Sequence, residues 1–166
     1  EYLKKKEVHI AAFGVIVASS AKEWKAYFEF AADMGIPVIT AEPEHAHLKD
    51  VNRLASAYDI KVAIHDHPRP SPYWHPDSVL TAIKGNSNLG FCADIGHWAR
   101  NGMNAVDCIK KADGKILVLH FKDVAEIGNP QAPDVLLGEG VCNIPGVLAE
   151  LKKQGFKGLL SIEYEE

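Results

Sequence analysis

Six short, almost wholly apolar segments recur along this chain of 166 residues, and helical patterns separate them. Short apolar segments that alternate with helices are typical of a parallel β-sheet covered by helices. The predicted strands span residues 8–17, 37–42, 62–67, 91–98, 116–122 and 159–164. The predicted helices span residues 20–35, 48–58, 79–83, 105–111 and 145–154. The pattern therefore predicts an α/β protein.

Two architectures contain such a sheet: the open, doubly wound sheet and the closed (β/α)8 TIM barrel. No Gly-x-Gly-x-x-Gly motif follows the first predicted strand, so the main sign of a dinucleotide-binding sheet is missing. Acids or histidines stand at the ends of five successive strands, and a barrel assembles its site from all its strand ends. We therefore predict a (β/α)8 TIM barrel of which about six βα units are present, as one partial domain over residues 1–166.

Composition and charge exclude several other classes of protein. The net charge of −4 argues against a nucleic-acid binder, which usually carries a basic surplus. The three cysteines are widely spaced and odd in number, so reduced thiols are expected rather than disulfides. No apolar run is long enough to span a membrane, and the first six residues resemble the end of a helix rather than a signal peptide. A cytoplasmic location is favoured.

Four polar residues end otherwise apolar strands and are candidates for one shared site. Side chains alternate across a strand, so residues of matching parity face the same side of the sheet. If they face the barrel axis, Glu42, Asp94, His120 and Glu163 converge at one end. Carboxylates with an imidazole suit a divalent ion such as Mn²⁺, Mg²⁺ or Co²⁺. The alternative is that each faces solvent and pairs with a lysine.

Five short motifs in order resemble the xylose-isomerase-like sugar isomerase/epimerase superfamily of TIM barrels. The motifs are Ala41-Glu42-Pro43, Asp94-Ile95-Gly96-His97, His120-Phe121-Lys122-Asp123, Gly138-Glu139-Gly140 and Ser161-Ile162-Glu163. The resemblance extends from the third to the eighth barrel strand, so two leading βα units and the closing helix are not in this sequence.

The resemblance implies roles for the residues that match. It implies that Glu42, Asp94, His120 and Glu163 bind one divalent metal ion, that Glu42 and Glu163 also act as catalytic acid and base, and that His97 contacts substrate oxygens.

Two departures from related ketose epimerases weaken a ketose 3-epimerase assignment. Those enzymes carry an arginine where this chain has Glu126 and a glutamate where it has Leu48. Apurinic endonucleases of the same superfamily need an additional Asp-x-His motif after the seventh strand, and none lies between His120 and Glu139. DNA repair is therefore discounted.

Several further residues have both a functional and a structural interpretation. His65 and His67 could bind substrate hydroxyls or shuttle protons, a role favoured for His67, or could instead bond to neighbouring backbone carbonyls. Lys122 is predicted to stabilise an enolate or to pair with site carboxylates. Trp74, like Trp98, is a candidate wall for a sugar ring or a cover for the barrel rim. Glu139 is predicted to lie on a loop over the substrate, or in a tight surface turn, and Cys92 is predicted to pack in the core.

These observations predict a metal-dependent isomerase or epimerase that removes a proton next to the carbonyl of a sugar or keto-sugar. One divalent ion (Mn²⁺, Mg²⁺, Co²⁺ or Zn²⁺) is the expected cofactor. A keto-sugar lyase or dehydratase and a non-catalytic sugar-binding barrel are the alternatives. The expected partner is a small sugar, without nucleic acid or membrane, and the existence of a homo-oligomer is left open.

Overall fold

The structure, a computed structural model, describes residues 2–165, so Glu1 and Glu166 lie outside the described residues. A parallel sheet of six strands forms its centre, in the order β1-β2-β3-β4-β5-β8, and β6 pairs antiparallel with β7 beside it. The strands are β1 (Phe13–Ile16), β2 (Val38–Ala41), β3 (Lys61–His65), β4 (Leu89–Asp94), β5 (Ile116–Phe121), β6 (Asp123–Val124), β7 (Asp134–Val135) and β8 (Leu159–Ile162).

Helices follow most of these strands, as the βα pattern predicts. They are α1 (Tyr2–Lys5), α2 (Ala21–Met34), α3 (Leu48–Tyr58), α4 (Pro76–Ile83), α5 (Ile95–Arg100), α6 (Ala105–Lys111) and α7 (Ile144–Lys153), with a 3₁₀ turn at His45–His47. Within residues 2–165, no helix is both long and apolar enough to cross a membrane.

The sheet curls into a half-barrel. One cavity is lined both by Gly14 and Val15 of the first strand and by Leu159 and Ser161 of the last strand in the sheet order. Opposite edges of a flat sheet would not face a common cavity. The α/β fold and the barrel-like curvature predicted from the sequence are therefore confirmed for the six strands.

Helix α2 shows how local sequence determines an element. Ser20 accepts a hydrogen bond from the backbone N–H of Glu23, and the Glu23 carboxylate accepts one from the N–H of Ser19, as in a capping box. Trp24, Phe28 and Ala31 follow at helical spacing and are fully buried. Gly35 ends the helix in the left-handed conformation that glycine adopts without steric cost.

Two apolar layers lie on the two faces of the sheet. The larger layer fills the space between sheet and helices and contains the biggest buried side chains, among them Trp24, Phe28, Phe91 and Trp98. The smaller layer is a separate cluster built on three compact residues, Ala63, Cys92 and Val118. Because these residues alternate with those of the larger layer, they face the inside of the half-barrel and leave space above them.

Four elements differ from the prediction. The first strand spans Phe13–Ile16 rather than 8–17, and it pairs with β2 through an irregular register on one side only. Helix α5 begins directly after Asp94, because the Asp94 side chain caps it. The strands β6 and β7 have two residues each, which is too short for a periodic pattern to reveal.

Candidate metal and active site

Five parallel strands bring polar residues to one edge of the half-barrel. Glu42 directly follows β2, His65 ends β3, and Asp94 ends β4. His120 lies near the end of β5, and Glu163 directly follows β8. The register pairs Asp94 with His120 and His120 with Ser161, so these strand ends lie at one level.

Asp94 lies at the centre of this edge, and its two carboxylate oxygens have different surroundings. Oδ1 accepts hydrogen bonds of 3.0 Å from the backbone N–H groups of Gly96 and His97. Oδ2 is buried and has no hydrogen-bond partner within residues 2–165. Around Oδ2 lie His97 Nε2 and Lys122 Nζ at 3.5 Å and His65 Nε2 and His120 Nδ1 at 3.9 Å. The backbone thus fixes the carboxylate while one oxygen remains available to a ligand.

Glu163 and Lys122 form a charged group next to His120. His120 Nδ1 lies 2.5 Å from Glu163 Oε2, and Lys122 donates hydrogen bonds to Glu163 Oε1 at 3.1 Å and to Glu165 Oε2 at 2.9 Å. The imidazole of His120 lowers the pKa of Glu163, and Lys122 lowers it further against the opposing effect of burial. Burial lowers the pKa of Lys122, but Asp94, Glu165 and Glu163 outweigh it and raise that pKa overall.

A second charged pair joins Glu42 to the loop after β3. Glu42 Oε1 lies 2.6 Å from His67 Nδ1 and accepts hydrogen bonds of 3.2 Å from the His67 N–H and the Ser71 hydroxyl. Burial raises the pKa of Glu42, but the imidazoles of His65 and His67 outweigh it and hold the pKa at about 2. The same contact with Glu42 raises the pKa of His67.

Four imidazole rings gather between these two pairs. The ring of His65 lies 4.2 Å from that of His67, 5.1 Å from that of His120 and 5.5 Å from that of His97, measured between centroids. Burial lowers the pKa of His65, and burial together with the charge of Lys122 lowers the pKa of His97 to about 2. Both rings are therefore neutral, which is the state that binds a metal.

One set of four residues has the spacing of a metal site. Ligand atoms of His65, Asp94, His120 and Glu163 all lie within 4.8 Å of one another. His65 also belongs to two sets of three in the described part of the chain, one with His67 and His97 and one with Cys92 and His120.

Glu42 belongs to none of the sets found among residues 2–165. The structure therefore brings three of the four predicted ligands together, and His65 rather than Glu42 lies with them.

The cluster opens into a cavity of about 570 Å³ inside the half-barrel. Its walls include His67, His120, Glu163 and Glu165, together with backbone and small side chains from the first strand. Among the described residues, Glu42 is not part of the lining and contacts it through His67. A small polar molecule in this cavity would contact imidazoles and carboxylates on opposite walls.

Other predicted residues lie elsewhere. Trp74 is half-buried, and the Arg69 guanidinium carbon lies over its ring, 3.7 Å from the ring centroid. Among the described residues that line the cavity, Trp74 is not included. Glu139 is exposed on a turn that hydrogen-bonds to Asp123. Trp98 is fully buried in the larger apolar layer, so it packs in the core and forms no wall of the cavity.

Two residues near the centre were not among the predicted site residues. His65 shares its strand face with His67, and that parity was the available signal. Glu165 stands two positions after Glu163, on the same side of the chain, and bonds to Lys122. Cys92 is core, as predicted, but its sulfur also lies 3.4 Å from His120 Nε2.

Comparison with known proteins agrees with the fold. The family described as "Xylose isomerase-like TIM barrel" matches residues 14–166. The chain belongs to this family. An inosose isomerase of Halalkalibacterium halodurans is 28% identical over 163 residues, which are 85% of this chain and 57% of the relative. The chain spans about half the length of the curated relatives it matches.

Solved structures of the xylose isomerase-like family share the fold. An uncharacterized protein from Parabacteroides distasonis is 38% identical, with a TM-score of 0.73 over 97% of this chain and 64% of that one. The IolI protein, solved with a bound zinc atom, is 20% identical, with a TM-score of 0.81 over 98% of this chain and 70% of that one. At that identity the zinc protein demonstrates the common fold alone.

Proposed function

We propose that this protein is a divalent-metal-dependent isomerase or epimerase that moves a proton next to the carbonyl of a sugar or keto-sugar. The observation that carries the proposal is the convergence of Asp94, His120 and Glu163 beside a cavity of about 570 Å³. The relatives named inosose isomerase support the class of reaction.

The residues present fit a divalent ion. Asp94 Oδ2 is buried and has no hydrogen-bond partner among residues 2–165, although it lies within 4 Å of His120 Nδ1 and other polar atoms of the cluster. Unsatisfied buried polar atoms are rare in native proteins, and a bound ion is one ordinary explanation. We propose that Asp94, His120 and Glu163 hold the ion, which when bound would polarise a substrate carbonyl as a Lewis acid.

Glu163 is the proposed acid or base on one wall of the cavity. Its carboxylate is partly exposed and lines the cavity, where it can reach a proton of a bound substrate. Lys122 holds its other oxygen at 3.1 Å and fixes the orientation of the carboxylate. A positioned carboxylate of this kind typically contributes about 10²–10⁴-fold to a proton-transfer step.

His67 and Glu42 are the proposed proton carriers on the opposite wall. Glu42 holds His67 Nδ1 at 2.6 Å, so the other ring nitrogen, Nε2, is the one that can exchange a proton with a substrate. A carboxylate that orients an imidazole in this way is a common catalytic arrangement. Glu42 then acts through His67, and the acid/base pair at the substrate is Glu163 and His67.

The negative charge of the site favours an uncharged substrate. Three carboxylates, those of Asp94, Glu163 and Glu165, lie within 3.5 Å of the buried Lys122 Nζ, and that of Glu42 lies beside His67 in the same cluster. One divalent ion would nearly balance the negative charge of these groups. No net positive charge would then remain to attract a phosphate. The proposed substrate class is therefore an unphosphorylated polyhydroxy ketone, and an inosose is the first compound to test.

The test compares two glutamates that both bond to Lys122. In D₂O, the metal-loaded protein should exchange deuterium into an inosose, as measured by mass spectrometry. Glu163→Gln should lower that exchange rate by at least about 10²-fold, because it removes the base. Glu165→Gln removes the neighbouring charge instead of the base; its side chain is 58% exposed, and it should lower the rate by less than Glu163→Gln does.

Other outcomes of this experiment would change the assignment. A product that is lighter by one water would identify a dehydratase acting on the same site. Binding without exchange, unchanged by removal of the metal, would contradict an enzyme and favour the sugar-binding barrel. Equal rates for the wild type and a folded, metal-loaded Glu163→Gln variant would exclude Glu163 as the base.

A further inference from the structure

A buried ion pair contacts the segment that follows Glu163. The Asp134 side chain is 1% exposed, and its Oδ1 accepts a hydrogen bond of 2.6 Å from the guanidinium of Arg100. The same guanidinium donates two further bonds, of 3.1 and 2.8 Å, to the carbonyl oxygen of Ala132. Arg100 thus joins the end of helix α5 to the turn between β6 and β7.

The second carboxylate oxygen of Asp134 binds the chain just after Glu163. Oδ2 accepts a hydrogen bond of 2.7 Å from the backbone N–H of Glu165. The N–H of Glu163 donates to the carbonyl oxygen of Phe121, 3.0 Å away, and so continues the pairing of β8 with β5. Residues 163–165 are therefore held at both ends, by β5 at one end and by Asp134 at the other.

Both carboxylates of this segment reach Lys122. Lys122 Nζ donates hydrogen bonds to Glu163 Oε1 at 3.1 Å and to Glu165 Oε2 at 2.9 Å. In the described part of the chain, β8 is an edge strand that pairs with β5 alone. Without Asp134, the end of this strand would be held on one side only, and strand ends held in that way open readily.

A buried ion pair is an expensive way to hold a loop, because apolar residues of similar size often give equal or higher stability. What the pair adds is direction. The planar guanidinium of Arg100 is fixed by the Ala132 carbonyl, so it sets the orientation of the Asp134 carboxylate. Oδ2 then faces the Glu165 N–H.

We propose that Asp134, oriented by Arg100, is a positioning residue for the proposed base Glu163. It acts through the backbone of Glu165 and keeps the Glu163 carboxylate at Lys122 and in the wall of the cavity. Among the described residues that line the cavity, neither Asp134 nor Arg100 is included, so neither needs to touch the substrate. This inference rests on the proposed function only for the role of Glu163 as the base.

The first measurement tests the hold without substrate, in a double variant that carries Arg100→Met and Asp134→Leu. Removing both charges leaves no buried charge unpaired. By hydrogen exchange followed with NMR, the Glu165 amide should exchange at least about 10-fold faster than in the wild type, because its N–H loses its acceptor. The Glu163 amide, which β5 holds, should change by less than about 3-fold. A Glu165 amide that exchanges at the wild-type rate would overturn the proposal.

The second measurement tests whether the hold affects the reaction. With an inosose in D₂O, the double variant should lower kcat by about 10–100-fold, a loss expected when a reacting group moves by about 1 Å, and should change KM by less than about 3-fold. In a Glu163→Gln background, the same two substitutions should lower the rate by less than about 3-fold further, because Asp134 acts through Glu163.

Leu151→Ala is the control for a general loss of stability. Leu151 is buried in α7, which packs beside α6, and truncating a buried leucine destabilises a protein without removing the contact between Asp134 and Glu165. The folded control should keep the wild-type kcat. If it loses as much kcat as the double variant, or if the losses of the double variant and Glu163→Gln multiply, the ion pair is only structural and the proposal is wrong.

Asp134→Asn replaces the double variant if that protein fails to fold. Its single side-chain oxygen cannot serve both Arg100 and the Glu165 N–H, so kcat should fall with the same dependence on Glu163. A folded Asp134→Asn variant with the wild-type kcat would overturn the proposal. A wild type that exchanges no deuterium into the sugar would contradict the proposed function, and the Glu165 amide would then still decide whether Asp134 holds the segment.

Discussion

One buried lysine balances the negative charge of three carboxylates at this edge of the sheet. Lys122 is fully buried and lies 3.5 Å or less from carboxylate oxygens of Asp94, Glu163 and Glu165. Without a cation, these groups would repel one another, and the buried ones would lose the solvation that stabilises their charge. The sequence could predict pairing within the site from the strand-end position of Lys122, but it could not predict the third partner, Glu165.

Lys122→Met should therefore destabilise the metal-free protein by about 2–3 kcal/mol, because it leaves buried negative charge uncompensated. Urea denaturation followed by circular dichroism measures the change. Lys111→Met is the matched control, since Lys111 pairs with Asp77 on the surface and should cost less than about 1 kcal/mol. Equal losses for the two variants would show that Lys122 does not balance the buried carboxylates.

The sequence also could not predict the contacts that Glu42 makes. Glu42 and His65 stand at the ends of neighbouring strands, and the register pairs Ala41 with Ile64, the residues just before them. Parity assigns each a face but says nothing of the loop that follows. The loop after β3 supplies His67 and Ser71, which both contact Glu42 Oε1. That contact joins residues 25 to 29 positions apart and leaves no periodic signal.

At the scale of elements, a single aspartate organises the long turn between β7 and α7. The buried Asp123 carboxylate accepts hydrogen bonds from four backbone N–H groups, those of Val124, Gly138, Gly140 and Cys142. The predicted Gly-Glu-Gly motif is thus anchored by its own glycine N–H groups. The sequence motif indicated a turn, but the aspartate that holds it lies 15 residues earlier for Gly138 and 17 for Gly140.

Gly140→Ala should destabilise this turn, because the added Cβ would overlap Asp123 Oδ1 and the Val124 carbonyl oxygen. Overpacking of this kind typically costs about 1–3 kcal/mol. Val141→Ala, on the exposed side of the same turn, should cost well under that range. Thermal or urea unfolding of both variants gives the comparison, and a fully stable Gly140→Ala variant would show that the turn is loosely held.

For the whole molecule, the sequence predicted the order of strands and the half-barrel because those depend on long apolar periodicities. It did not predict α5, because the Asp94 cap starts this helix directly after β4. It also did not predict the short β6–β7 pair. The assignment of residues 1–166 to one partial barrel stays a prediction. The same holds for the association between copies that an incomplete barrel favours. Strands β1 and β8 each pair on one side, and Val17, Leu160 and Ile162 beside those edges are more than half exposed.

Unpaired parallel edges with exposed apolar side chains favour association between copies. The 166-residue chain alone should therefore form species larger than a monomer as its concentration rises, as measured by size-exclusion chromatography with light scattering. Ile162→Lys, which places a charge on the last strand, should reduce that association. A monomer at every concentration would contradict the prediction.

The central claim is a metal-dependent proton-transfer site, and one diffraction measurement tests it most directly. Crystals soaked with Zn²⁺ and an inosose should give an anomalous peak within about 2.0–2.6 Å of ligand atoms of Asp94, His120 and Glu163, with a substrate oxygen beside it. The substrate carbon next to the carbonyl should lie between Glu163 and His67. A zinc peak away from these residues, or an ordered sugar bound with no peak at them, would contradict the account.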